Sequence, residues 1–546
     1  MTMIKELEPQ SLTEKYTPFS KEHSQDKVQW ALSHFIDQDN GLADYGNFAN
    51  IISETLIGVP YNASTGNQRA LHEVLQKLTH DVENARRFNN TYIGHMLSEA
   101  CIPGMWGQMI ATRIGSNTVA REVSLKESGL EKEAIHFLMD VVGYNKDKAS
   151  GTFTTGGSMA VMTALAIARK KYQKEYEEKY KPVNKSPEAK ELSDIWKLQN
   201  QKTLYVLATH MAHYSFKKHM TLLAGPYGET DLKIQQVGMT NLKMDVDDLK
   251  KQIEIIKRKD GVVMAIYAIA GETETGLIDP LDEIIDVARD CGTFAIADGA
   301  YGAMYRLSRL EKQFNALSKY DAIILDPHKT LYTPYPSGAV LFKSAEDHAL
   351  LAAGIDAPYL NFAKTNRGVV KGLLYEGKNK NRFNLGQKRI EGSGTAGSIL
   401  STVAVSRSLS TEGIGIVLDI TLDRIKHLHQ RLLNSKYLEP VHNSELNLVC
   451  FRIKEGAERK LGLTQENPKT RQKSRETLIR QLRVELDKGI KGDGGYYFSD
   501  TALPLGKEES ETSVFRACIM NPRTTDKILD DAVTALEGLI EKRISN

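Results

Sequence analysis

Apolar positions along this chain change their period from one region to the next. Between residues 48 and 88, Ile51, Ile52, Leu56, Leu71, Val74, Leu75, Leu78 and Val82 recur at helical spacing, which predicts helices too few to form a core alone. A long helix is predicted over residues 130–142. Another opens after Gly156-Gly157 and carries Met162, Leu165, Ala166 and Ala168 on one face. From residue 203 to 342 the pattern differs: short, continuous apolar runs at 204–209, 261–270, 293–298 and 321–325 alternate with amphipathic stretches such as 281–289. Runs without polar alternation imply strands covered on both faces, and their alternation with helices implies a largely parallel, doubly wound α/β sheet.

After residue 342 the pattern loosens. Residues 399–433 and 527–542 are predicted helical, and 447–453 and 515–520 are predicted strands, as in a smaller α+β unit. The charge-rich stretches 169–200 and 454–476 read as a surface insertion and a polar linker. The expected division is an N-terminal helical segment over 1–103, a large domain over 104–385 and a small C-terminal α+β domain over 386–546.

Composition adds mainly exclusions. With 41% hydrophobic and 26% charged residues, the chain has the make-up of an ordinary globular protein. Its 71 basic and 69 acidic residues give a net charge of only +2, which leaves no electrostatic footprint for nucleic acid or an anionic membrane. Cys101, Cys291, Cys450 and Cys518 lack metal-ligand or CxxC spacing, so neither structural zinc nor a disulfide framework is expected, and a reducing cytoplasm fits. No apolar run approaches the ~18 residues of a membrane span, and residues 1–30 hold no apolar signal-peptide core.

The candidate chemistry sits at strand ends. Lys329 follows the 321–325 run in Leu325-Asp326-Pro327-His328-Lys329, and Asp298 closes the 293–298 run before Gly299-Ala300-Tyr301-Gly302. Open α/β sheets place their chemistry at the carboxyl ends of strands. An amine that forms a Schiff base with an aldehyde cofactor, and an acid that keeps a pyridine nitrogen protonated, are the two groups pyridoxal phosphate chemistry most needs. A lone lysine after a strand is usually a solvated loop residue, so the other pieces carry the weight. Thr155-Gly156-Gly157-Ser158 opens a helix, where free N–H groups and glycines make either a phosphate cradle or an ordinary capped turn. His213-Tyr214-Ser215 follows another strand and puts an imidazole where it can lie against an aromatic ring.

Taken in order, these segments, with Thr275-Gly276 through Asp279 and Asn521-Pro522, resemble the group II pyridoxal-phosphate-dependent amino acid decarboxylases from about residue 92 onward. Within that family the pull is towards the bacterial aspartate 1-decarboxylase branch. The resemblance implies a large domain of the aspartate aminotransferase type and a homodimer with the active site at the subunit boundary, the segment 1–103 packing on the partner. It implies that Lys329 holds the cofactor, Asp298 faces the pyridine nitrogen and His213 stacks on the ring. Thr155, Gly156, Gly157, Ser158, Asp326 and His328 would surround the phosphate, with Thr273 and Ala300 as further cofactor contacts. Ser393 or Thr395 would reach the partner's site. His95, Ser98 and Arg516 would meet the substrate, and Tyr375, on a lengthened loop, would return the proton.

The chain departs from the family's pattern at Asp326, where many relatives carry Asn and where a second carboxylate near a phosphate needs a compensating donor, and at Val161, while Phe383 stands where relatives often carry an aromatic. An acidic substrate, aspartate or glutamate, is expected ahead of an aromatic one, for which Ile102, Trp106 and Phe362 would supply the pocket. Another pyridoxal-dependent carbon–carbon lyase and a catalytically silent relative are the remaining alternatives. The presence of both Lys329 and Asp298 argues against the silent one.

Overall fold

The computed structural model describes residues 23–35, 77, 88–119, 124–182, 186–199, 201–224, 232–352, 385–464, 467–488, 495–505 and 511–545. The predicted helices over 48–88 lie almost wholly outside these residues, as do Tyr375, Phe362 and Phe383.

Among the described residues, seven strands make the main sheet: β1 (Ser150–Thr154), β2 (Leu204–Ala208), β3 (Leu232–Gln236), β6 (Val262–Ile269), β7 (Phe294–Asp298), β8 (Ala322–Leu325) and β9 (Gly338–Phe342). A small hairpin of β4 (Met239–Thr240) and β5 (Lys243–Met244) lies between β3 and β6 in the chain. The order across the sheet is β1-β9-β8-β7-β6-β2-β3. Strands β3, β2, β6, β7 and β8 pair in parallel, while β9 runs antiparallel to both β8 and β1. Being antiparallel to the same strand, β1 points the same way as the parallel set. The carboxyl ends of β1, β2, β6, β7 and β8 therefore share one edge.

The continuous apolar runs have a simple cause. Ile266, Ala268, Ala295, Ala297 and Leu325 face one core, which includes the helices Leu125–Val142, Val246–Arg258 and Leu281–Asp290. Ala265, Tyr267, Ile269, Ile296 and Ile324 face another, against the helices Gly157–Lys179 and Tyr214–Ala224. Both faces are covered, so neither set of alternate side chains can be polar without a partner.

A second, antiparallel sheet has the order β10-β11-β13-β12, from β10 (Leu438–Pro440), β11 (Leu448–Ile453), β12 (Ser499–Pro504) and β13 (Glu511–Cys518). Its core gathers Phe451, Phe498, Phe515, Leu482 and Val533. Residues 454–476 are not a linker here. They hold the helix Glu455–Lys460 and the start of the helix Pro468–Asp487. The apolar stripe that anchors the longer helix, Ile479, Leu482 and Leu486, begins only beyond residue 476, so its first turns look polar. Likewise residues 169–200 are mostly helical, continuing Gly157–Lys179 and adding Pro187–Gln199, tied by Tyr176 donating to the Lys197 carbonyl at 2.5 Å. Strand β1 was hidden for the opposite reason: Ser-Gly-Thr-Phe-Thr is small and polar, yet all five residues are buried.

The helix Gly397–Leu433 joins the two cores. It breaks at Ser410 (φ 55°), with Ile399 and Val403 in the core of the large sheet and Ile425, Leu428 and Leu432 in that of the second. Residues 92–94 lie against the second sheet of the same chain: Ile93 N donates to the Tyr497 carbonyl at 2.8 Å, and Cys518 N donates to the Ile93 carbonyl at 2.9 Å.

Candidate active site

Two adjacent strand ends carry the central pair. Asp298 is the last residue of β7, and Asp326 N, just past β8, donates to the Ala300 carbonyl at 3.2 Å, so the two ends are tied together. The turn after β7 passes so close to β6 that a Cβ at Gly302 would overlap the Ala270 carbonyl. A four-residue helical turn, Pro327–Thr330, then presents Lys329, and Thr330 Oγ1 fixes it by donating to the Tyr301 carbonyl at 2.9 Å.

Asp298 is buried. Its Oδ1 accepts from Ala300 N at 3.2 Å and its Oδ2 from the Tyr267 hydroxyl at 2.5 Å. Lys329 Nζ lies 3.1 Å from Oδ2 of the buried Asp326. His328 Nδ1 accepts from Ser337 N at 3.1 Å, which puts the proton of a neutral ring on Nε2, 3.5 Å from the same Oδ2. Burial keeps His328 below the usual histidine range, against the pull of Asp326. Lys329 and His328 thus supply the compensating donors that Asp326 requires. Asp326 Oδ1 is buried without a hydrogen-bond partner among the described residues, an orphaned acceptor.

His213, beyond β2 and directly before the helix Tyr214–Ala224, faces the same groups: the charges of Asp298, Lys329, Asp326 and Glu274 all act on it, although burial has the largest effect and lowers its pKa. Its Nδ1 is 2.8 Å from Ser215 Oγ. The imidazole is therefore held neutral and oriented, as a ring-stacking residue requires.

The helix Gly157–Lys179 points its N-terminus at this cluster, and a Cβ at Gly157 would come within 2.7 Å of Asp326 Oδ2. Gly156 has φ 145°, and Ser158 is half-buried in the first turn. Thr155 departs from expectation: its N and Oγ1 already donate to Glu391 Oε1, at 2.9 and 3.3 Å. Ser393, exposed on the same segment, accepts from Asn117 Nδ2 at 3.0 Å.

On the substrate side, Arg516 of β13 is buried and donates to three carbonyls: Nε to Glu274 at 3.2 Å, Nη1 to Gly94 at 3.1 Å and Nη2 to Thr273 at 2.5 Å. Nη1 also lies 3.3 Å from His95 Nδ1. The predicted carboxylate ligand is thus first a clamp joining three segments, with one Nη2 hydrogen that has no acceptor among the described residues. Thr273 takes part through its carbonyl, and Ala300 through its N–H on Asp298. Ser98 Oγ is buried without a hydrogen-bond partner among the described residues.

Sequence reasoning missed Tyr267, Glu274 and Glu391. Tyr267 did carry a signal, being the one hydroxyl-bearing residue in the run Val262–Ile269. Among the described residues no cluster of side chains could hold a metal ion, and no helix is long and apolar enough to cross a membrane.

A helix N-terminus, an amine and a buried carboxylate at neighbouring strand ends match the phosphate, the aldehyde and the ring nitrogen of pyridoxal phosphate, so the site defines a pyridoxal-phosphate enzyme on an α/β scaffold. Residues 69–454 match the pyridoxal-dependent decarboxylase conserved domain, and the chain belongs to that family: it is a pyridoxal-phosphate-dependent amino acid decarboxylase, a carboxy-lyase. It is 24% identical to an aspartate 1-decarboxylase of Aliivibrio fischeri, over 96% of this chain and 90% of the relative. It is 26% identical to an aromatic-L-amino-acid decarboxylase of Bacillus atrophaeus, over 76% of this chain and 73% of the relative. The crystal structure of Oryza sativa TDC with PLP and tryptamine superposes with a TM-score of 0.68 at 16% identity, covering 97% of this chain and 99% of that one.

Proposed function

We propose that the substrate is an acidic L-amino acid, aspartate first and glutamate second, converted to the amine and carbon dioxide. The observation that carries this reading is the pairing of Arg516 with His95 beside a site whose chain aligns over 96% of its length with an aspartate 1-decarboxylase. One guanidinium serves the α-carboxylate of any amino acid; a second donor, His95, is what a side-chain carboxylate needs.

Pyridoxal phosphate, when bound, supplies a sink for the electrons left on the α-carbon as carbon dioxide departs. The chain's own residues prepare that site. Lys329 holds the cofactor, Asp298 keeps a proton on the ring nitrogen, and neutral His213 covers the ring face. Gly156, Gly157 and Ser158 receive the phosphate at the helix N-terminus. Tyr375 delivers the proton to the α-carbon. The enzyme works as a homodimer in the cytoplasm, a setting that four free cysteines fit, with Ser393 or Thr395 contributing to the partner's site.

Glu274 favours a second reading. Its carboxylate acts on His213 and lies 3.8 Å from Arg516 Nε, where it would attract a cationic side chain such as that of 2,4-diaminobutyrate. A panel of L-amino acids containing aspartate, glutamate, tyrosine and 2,4-diaminobutyrate, scored for carbon dioxide and for amine against aldehyde, separates these readings. Turnover of aspartate to amine is the expected result. Preference for tyrosine or for the diamino acid defeats it, and aldehyde in place of amine defeats the role given to Tyr375.

A further inference from the structure

Asp298 can serve the ring nitrogen only if the proton between them rests on the nitrogen. In a buried site this is not automatic, because desolvation favours the uncharged pair, a carboxylic acid beside a neutral pyridine, over carboxylate and pyridinium. Hydrogen bonds donated to the carboxylate tip the balance the other way, since they stabilise its anionic form.

Asp298 receives two such bonds. One comes from the backbone, Ala300 N to Oδ1 at 3.2 Å; the other, to Oδ2 at 2.5 Å, comes from the hydroxyl of Tyr267, thirty-one residues earlier on β6. Tyr267 is completely buried in the core beneath the sheet, packed against Phe216 with ring centroids 4.7 Å apart. Burial, with the Asp298 charge next, holds its phenol well above the usual range, so the group stays a donor.

We propose that Tyr267 is a positioning residue of the decarboxylase: its hydroxyl keeps Asp298 in place and anionic, and so keeps the cofactor's ring nitrogen protonated. This rests on the assignment of Asp298 to that nitrogen. Tyr267 acts through Asp298, from a fully buried position in the core. A merely structural role, satisfying a buried phenol, would leave the protonation of the ring unchanged.

The test is nuclear magnetic resonance of the protein loaded with pyridoxal phosphate isotopically labelled at the ring nitrogen. The wild-type protein should give a pyridinium resonance, which Tyr267→Phe should displace towards neutral pyridine. The variant should also bind the cofactor roughly tenfold more weakly in an equilibrium titration, the size of one charge-assisted hydrogen bond. Para-fluorophenylalanine at position 267, with the size of tyrosine but no O–H, should give the same displacement even if phenylalanine disturbs packing. Para-aminophenylalanine, which keeps a donor there, should restore the wild-type resonance. An unchanged resonance in a folded Tyr267→Phe or para-fluorophenylalanine protein overturns the proposal while leaving Asp298 in its role. A neutral-pyridine resonance already present in the wild type overturns both.

Discussion

The Lys329 amine and the Asp326 carboxylate, three residues apart on one helical turn, meet at 3.1 Å at the carboxyl edge of the main sheet. The same Asp326 oxygen crowds Gly157 at the start of the helix assigned to the phosphate. Asp326 is thus a partner of the amine proposed to hold the cofactor and a charge that would oppose the cofactor's phosphate. Its second oxygen has no hydrogen-bond partner among the described residues.

Asp326→Asn should therefore tighten cofactor binding. Removing one negative charge near a dianion, and adding an amide donor, should lower the dissociation constant by roughly tenfold. An absorbance titration of the cofactor-free protein with pyridoxal phosphate checks this. A weaker complex would mean that the carboxylate's hold on Lys329 matters more than its repulsion.

Lys329→Ala should remove both covalent capture of the cofactor and turnover, with kcat falling by on the order of 10⁴ or more. The side chain is only part-buried in a short turn, so melting temperature should stay within a few degrees of wild type. Retention of a cofactor that survives denaturation would point to another lysine.

Arg516 calls for a paired measurement. Arg516→Lys replaces a planar fork by a single ammonium that cannot reach the carbonyls of Gly94, Thr273 and Glu274 together. It should cost roughly 3 kcal/mol of stability besides raising KM. Urea unfolding measured beside steady-state kinetics separates the clamp from the substrate ligand. A KM effect without loss of stability would show that the clamp is dispensable.

Glu274→Gln should improve discrimination towards acidic substrates. With its charge gone from beside Arg516 and His213, kcat/KM for aspartate relative to 2,4-diaminobutyrate should rise by about tenfold. A ratio that stays the same places Glu274 outside the substrate's reach.

Asp279 gives a pH dependence with a definite sign. It accepts from Met244 N and Ile269 N, both at 2.8 Å, but burial outweighs these bonds and raises its pKa from 3.8 to about 6. The fold then binds the proton more tightly than the unfolded chain does. Its contribution to stability is complete below pH 3.8 and is lost as the pH rises to about 6. Asp279→Asn should flatten that decline by on the order of 2 kcal/mol across the same interval, as seen by urea unfolding at several pH values. Equal slopes in both proteins would contradict it.

Much of the site could be read from the chain because strand ends are local features. An apolar run followed by a charged residue and glycine marks Asp298, and a similar run marks Lys329. Their arrival at one edge follows from parallel pairing, which the unbroken apolar runs themselves imply. His213 was legible because it follows another such run, and Gly156-Gly157 because a glycine pair opens a helix. Strand β1 and the helix Pro468–Asp487 were not, since burial of small polar residues and an apolar stripe that starts late leave no periodic signal.

What periodicity cannot supply is the partner of each polar group. The sequence by itself determined which residues stand at the carboxyl edge of the main sheet. Only the tertiary structure decided that Asp298 is held by Tyr267 from a neighbouring strand, that Glu391 takes the donors of Thr155 from 236 residues away, and that Arg516 is spent largely on backbone carbonyls. Hydrogen-bond partners far apart in the chain are chosen by packing and by the cost of leaving a buried polar group unpaired, and neither leaves a mark on local spacing.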